Sequence, residues 1–134
     1  MNERQKINLI FECVNLATWR IDADGNVFWD DRMFDLYKMK PGDGLQIMDF
    51  RSKVYESDWP KFNEVLKNGI ENRINFDLNV RILVDGIYCW FKIVGKICDD
   101  GSICGITQNV DFVVRQILDQ QQKIKIVETL YLKK

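Results

Sequence analysis

The side chains with the clearest chemical capacity in this 134-residue chain are two acidic pairs, Asp30-Asp31 and Asp99-Asp100, and four cysteines. Adjacent carboxylates do acid–base work when their surroundings push their pKa values apart. Here one pair opens a helix and the other sits in a turn, where acidic residues are expected for structural reasons. Asp22-Ala23-Asp24-Gly25-Asn26 begins like a calcium loop, but no glutamate stands where such a loop closes its coordination shell. A hairpin turn accounts for it. Cys13, Cys89, Cys98 and Cys104 form no C-x-x-C pair, so a zinc ribbon or thioredoxin-type motif is unsupported. They read as reduced thiols buried in a core. The chain has no histidine, which excludes a His-dependent triad, a His-ligated haem and a His-containing zinc site. It also has no phosphate-cradling glycine loop, Gly-x-Ser-x-Gly elbow or nucleotide-cyclase motif. No catalytic residue or metal ligand can be nominated, and an enzyme is not expected.

The charge balance excludes further classes. With 19 basic and 20 acidic residues the formal net charge is -1, so no electrostatic signal favours nucleic acid. Lys123, Lys125, Lys133 and Lys134 read as a solvated helix face and tail. No apolar run approaches the roughly 18 residues that a membrane span needs. The polar stretch Met1 to Lys6 leads into only a short apolar run, which reads as no signal peptide, and a cytoplasmic setting is expected. A hydrophobic share of 46% with 29% charged residues excludes disorder, and the length suits one domain.

The elements that must position these residues follow from periodicity. Ile7, Ile10, Phe11 and Val14 recur at helical spacing within Glu3 to Leu16. Trp19 to Ile21 and Val27 to Trp29 flank a turn and predict a short hairpin. Asp31 to Lys38 predicts a short helix, and Pro41 to Ser57 one or two helical turns around Phe50 and Val54. Asp58-Trp59-Pro60 starts a clearer helix, with Asp58 as N-cap and an apolar face of Trp59, Phe62, Val65 and Leu66. Asn68-Gly69 is expected to end it. Ile74 to Ile82 alternates apolar and polar residues without a break, which predicts a strand. A second long strand is predicted over Ile87 to Cys98, after Asp85-Gly86. Its outer face, Tyr88, Trp90, Lys92, Val94 and Lys96, is apolar enough to need covering. After Asp99-Asp100-Gly101 a fifth strand is predicted over Ser102 to Val110. From Asp111, Val113, Ile117, Gln120, Ile124, Val127 and Tyr131 form a heptad-like seam, either packed on the chain's own sheet or intermolecular.

This order resembles a PAS domain of the sensory type that ends in a PAC motif. The resemblance is carried by Trp19-Arg20-Ile21-Asp22 with Asp24-Gly25-Asn26-Val27-Phe28-Trp29, by Phe34-Asp35-Leu36-Tyr37 and by Val54-Tyr55-Glu56-Ser57-Asp58-Trp59. It continues through Phe76 to Ile82, Asp85-Gly86, Trp90, Gly95, Gly101, Gly105 and Asp111. Tyr55 and Glu56 replace the family's usual His-Pro, and Trp59 its usual Arg. The exit reads Asp111-Phe112-Val113, without the usual threonine hydroxyl, and Asp111 is expected to cap the exit helix.

The resemblance implies an α+β fold with a five-stranded antiparallel sheet and short helices on one face. It divides the chain into an N-terminal flanking helix (1–16), the sensory domain (17–111) and a C-terminal signalling helix (112–134). Ligand-pocket candidates under it are Trp29, Phe34, Tyr37, Trp59, Phe62, Phe76 and Phe91. Relay and dimer candidates are Trp90, Asp111, Val113, Ile117, Ile124 and Val127. The implied role is non-enzymatic: a module of a bacterial-type sensor histidine kinase or diguanylate cyclase that senses a small ligand and relays it through the exit helix. A ligand-free dimerisation and relay module is the alternative. Expected partners are a second copy and the output domain of the same polypeptide, with no nucleic acid and no membrane insertion. No cofactor is expected. The stretch Gln46 to Ser57 lacks the reactive cysteine of flavin photosensors, and noncovalent flavin, which needs no unique motif to stack on Trp29 or Trp59, is the alternative.

Overall fold

The computed structural model describes residues 1–41 and 50–132. The Gly42-Asp43-Gly44 turn, most of the stretch expected to hold short helical turns, the Lys133-Lys134 tail and the Phe11 side chain lie outside the described residues. In chain order the elements are α1 (Glu3–Cys13), β1 (Leu16–Ile21), β2 (Val27–Trp29), α2 (Asp31–Tyr37) and a 3-10 turn (Glu56–Asp58). Then come α3 (Trp59–Asn72), β3 (Phe76–Val84), β4 (Ile87–Ile97), β5 (Ile103–Asn109) and α4 (Asp111–Leu132). The five strands form one antiparallel sheet in the order β2-β1-β5-β4-β3.

The alternation in β3 produces the expected burial: Phe76, Leu78, Val80, Ile82 and Val84 face inward. The strand starts two residues later than expected, because Ile74 N–H still bonds the helical carbonyl of Gly69. α1 stops at Cys13, not Leu16, because Asn15 turns left-handed (φ 53°) and Leu16 enters the sheet. Val54, expected in a helical turn, makes an isolated antiparallel bridge to Ile82.

α3 departs from expectation at both ends. Asp58 makes no capping bond; its carboxylate is taken by Arg81. Gly69 does not end the helix, which runs on to Asn72 and closes on left-handed Arg73. The glycine serves a close approach instead: a Cβ there would lie 2.5 Å from Phe76 Cδ1. None of the cysteines is fully buried. Cys13 and Cys104 are exposed, Cys89 and Cys98 half-buried, and all four are free thiols. Cys13 ends the solvent-facing α1, and Cys104 lies on the outer sheet face with Arg20 and Lys96 beside it. No described helix is long and apolar enough to cross a membrane.

Candidate functional site

The inner sheet face is built around one transverse row. Trp29 pairs with Trp19, Trp19 with Gly105, Gly105 with Gly95, and Gly95 with Phe76, crossing all five strands. A Cβ on Gly105 would overlap the Trp19 indole, and one on Gly95 the Phe76 ring. Without those atoms, Trp19 and Phe76 lie over the two central strands and stack, with centroids 6.0 Å apart and planes 19° apart. The next row runs Ala17, Thr107, Ile93 and Leu78.

The helices close over this bed. Asp30 fixes α2: its Oδ1 accepts Met33 N–H (3.1 Å), and its Oδ2 accepts Thr18 N–H (3.1 Å) and Thr18 Oγ1–H (2.7 Å). This first turn directs Met33 and Tyr37 inward, and both are buried. Trp29, Tyr37 and Phe50 meet pairwise at centroid distances of 5.3 to 6.0 Å. Phe62 of α3 closes against Phe50 at 5.9 Å.

Between helices and sheet lies a cavity of about 90 Å³. Of the pocket candidates, Trp29, Tyr37, Phe62 and Phe76 line it. Phe34, Phe91 and Trp59 are not among its described lining. Phe34 turns edge-on against Trp29, Phe91 packs behind Tyr37, and Trp59 stacks on Phe62 with the Arg51 guanidinium 4.9 Å from its ring centroid. The sequence reading missed Trp19, Ile21, Met33, Met39, Leu66 and Thr107, which also line it. Alternation in β1 offered a signal for Trp19 and Ile21. Thr107 offered one as a polar residue in step with Ile103 and Gly105.

Two hydroxyls face this apolar interior. Burial pushes the Tyr37 phenol above its ordinary value of 10.0, and Thr107 opposes that shift by hydrogen bonding. The contact is too loose to satisfy Thr107, whose Oγ1 is buried without a well-formed partner.

On the outer face a second set of contacts ties α3 to α4. Asp58 Oδ2 accepts Arg81 N–H (2.9 Å) and Nε–H (2.9 Å), and Oδ1 accepts Nη2–H (2.8 Å). The Arg81 hydrogen bonds hold the Asp58 carboxyl below its ordinary 3.8, and Asp58 in turn raises the guanidinium. The guanidinium lies 3.9 Å from the Tyr55 ring centroid and 4.9 Å from that of Trp90. Trp90 N–H donates to Asp111 Oδ1 (3.3 Å), and Trp90 C=O accepts Val110 N–H (2.9 Å). Asp111 therefore ties the exit helix to β4, and Asn109 Oδ1 accepts the Asp111 N–H (3.0 Å). Asp111 Oδ2 also accepts Arg115 Nε–H at 2.6 Å. Trp90 and Asp111 thus meet, whereas Val113, Ile117, Ile124 and Val127 are about half exposed along α4.

No family model matches the chain. A probable diguanylate cyclase, DgcE of Escherichia coli strain K12, is 31% identical over 85 residues, which is 62% of this chain and 8% of that protein. The chain therefore spans less than a tenth of the curated relative it matches. A sensory box histidine kinase/response regulator structure from Burkholderia thailandensis superposes with a TM-score of 0.68 at 13% identity, over 92% of this chain and 98% of that one. The N-terminal domain of a diguanylate cyclase with PAS/PAC sensor from Marinobacter aquaeolei gives a TM-score of 0.64 at 16% identity, over 72% and 96%. The five-stranded antiparallel sheet with its helices matches these structures: the fold of this chain is that of a PAS domain.

Proposed function

We propose that this chain is the sensory module of a larger signalling protein with a histidine kinase or diguanylate cyclase output. A small ligand in the cavity biases the exit helix α4, and any catalysis lies in the output domain. The observation that carries this reading is where the cavity sits. Its lining includes Thr107 of β5 and Ile93 of β4, the strands that hold the start of α4. The relatives' names support the choice of outputs. Occupancy shifts the helix only if the ligand binds the two helix states with different affinity. The module works as a homodimer in the cytoplasm. A volume of about 90 Å³ supports a ligand much smaller than a flavin.

Native against denaturing mass spectrometry of the purified chain, with an absorbance scan of the same sample, tests this reading. The expected result is an extra noncovalent mass per chain. A bare chain that also takes up no small apolar probe overturns the ligand part.

A second reading, dimerisation and relay without a ligand, is favoured by the bare apolar residues of α1 and α4. Ile7, Ile10, Ile117 and Ile124 are 48%, 58%, 53% and 57% exposed. Under it, light scattering finds a dimer whether or not the cavity is filled.

A further inference from the structure

We propose that the cavity takes a neutral, largely apolar molecule no bigger than one six-membered ring, carrying a single polar group that hydrogen-bonds Thr107 Oγ1. This rests on the sensory reading above and names the chemistry of its ligand. Size comes first. An engineered apolar cavity of about 150 Å³ takes benzene, and this one measures about 90 Å³. Met33 and Met39 are in its wall, and unbranched methionines adapt their shape to what they surround. With that adjustment a single small ring is the size the cavity suits.

Charge comes next. Among the described residues the lining carries no charged side chain. A carboxylate or phosphate entering it would lose its hydration with no cation to receive it. The polar group is fixed by Thr107, which is 1% exposed and flanked across the sheet by Ala17 and Ile93. Valine would fill that position without an unpaired hydroxyl, which is destabilising when buried. The Tyr37 hydroxyl approaches from α2, yet Thr107 Oγ1 stays without a well-formed partner. The free hydrogen-bonding capacity thus lies in a wall whose other described residues are mostly apolar.

The test titrates phenol, toluene and benzoate into the wild-type chain and Thr107→Val, reading the methyl NMR signals of Met33 and Met39. Phenol and toluene are expected to bind saturably, and benzoate not to bind. Thr107→Val should weaken phenol relative to toluene by about tenfold while leaving toluene unchanged. Its melting temperature should not fall, which controls for folding. A phenol-to-toluene ratio unchanged by Thr107→Val overturns the proposal, as does benzoate binding like phenol. If neither phenol nor toluene moves the methyl signals, the ligand-pocket reading itself fails.

Discussion

α3 and α4 both carry apolar residues at helical spacing, and they meet opposite fates. In α3, Phe62 is buried, and Val65 and Leu66 pack against the core. In α4, Val113, Ile117, Ile124 and Val127 stay 52% to 57% exposed. The difference lies in the ends. α3 is preceded by Asp58, clamped by Arg81, and followed by Arg73, whose guanidinium bonds the Gly101 carbonyl of the β4–β5 turn. The sheet-directed bonds described for α4 include those at its start, on Asp111 and Val110. Its 22 residues then extend about 33 Å. The stripe of α3 is thus held against the sheet, while the described stripe of α4 stays about half exposed.

Substitutions sharpen this contrast, beginning with the bed beneath the cavity. Gly105→Ala forces a methyl into the Trp19 indole, a rigid neighbour. It should cost about 1–3 kcal/mol by urea unfolding. A cost below about 0.5 kcal/mol would mean the ring is not held on the sheet as described.

Arg81→Ala removes the clamp on α3. Because the Arg81 side chain is 32% exposed, solvent screens part of its pairing, and a loss of about 1 kcal/mol is expected. The same pair sets a pH dependence. Asp58 has a folded pKa below its ordinary 3.8, so its contribution is full above that value and is lost as the pH falls through the folded one. Urea midpoints of wild type and Asp58→Asn should differ at neutral pH and converge in acid. Parallel curves down to acid pH would break the assignment.

On α4 the expected change in subunit stability is smallest. Ile124→Asp with Val127→Asp should move the unfolding free energy of the sheet domain by no more than about 0.5 kcal/mol. It should nevertheless reduce a dimer to a monomer by light scattering. An unchanged mass would show that this seam is not the interface.

Much of the fold was legible because strand burial repeats every two residues, and β3 writes that repeat openly. The site was less so. Trp29 and Tyr37 could be named as large aromatics beside the turn and short helix, but Gly95 and Gly105 gain meaning only once register sets them between Trp19 and Phe76. Asp58 was misread for a related reason. Its local signal fits a cap, and the competing partner, Arg81, lies 23 residues away in sequence. Gly69 was read as a helix end because its neighbour Phe76 is a tertiary contact. The α4 seam left two readings open in sequence, and Val113, Ile117, Ile124 and Val127 stay about half exposed in the single chain.

The most direct test of the central claim is amide hydrogen exchange with and without phenol, at a concentration that saturates the Met33 and Met39 signals. Altered protection is expected along β5 and in the first turn of α4, including the Val114 amide that bonds Val110 C=O. Phenol bound in the cavity with exchange unchanged in both places would contradict it.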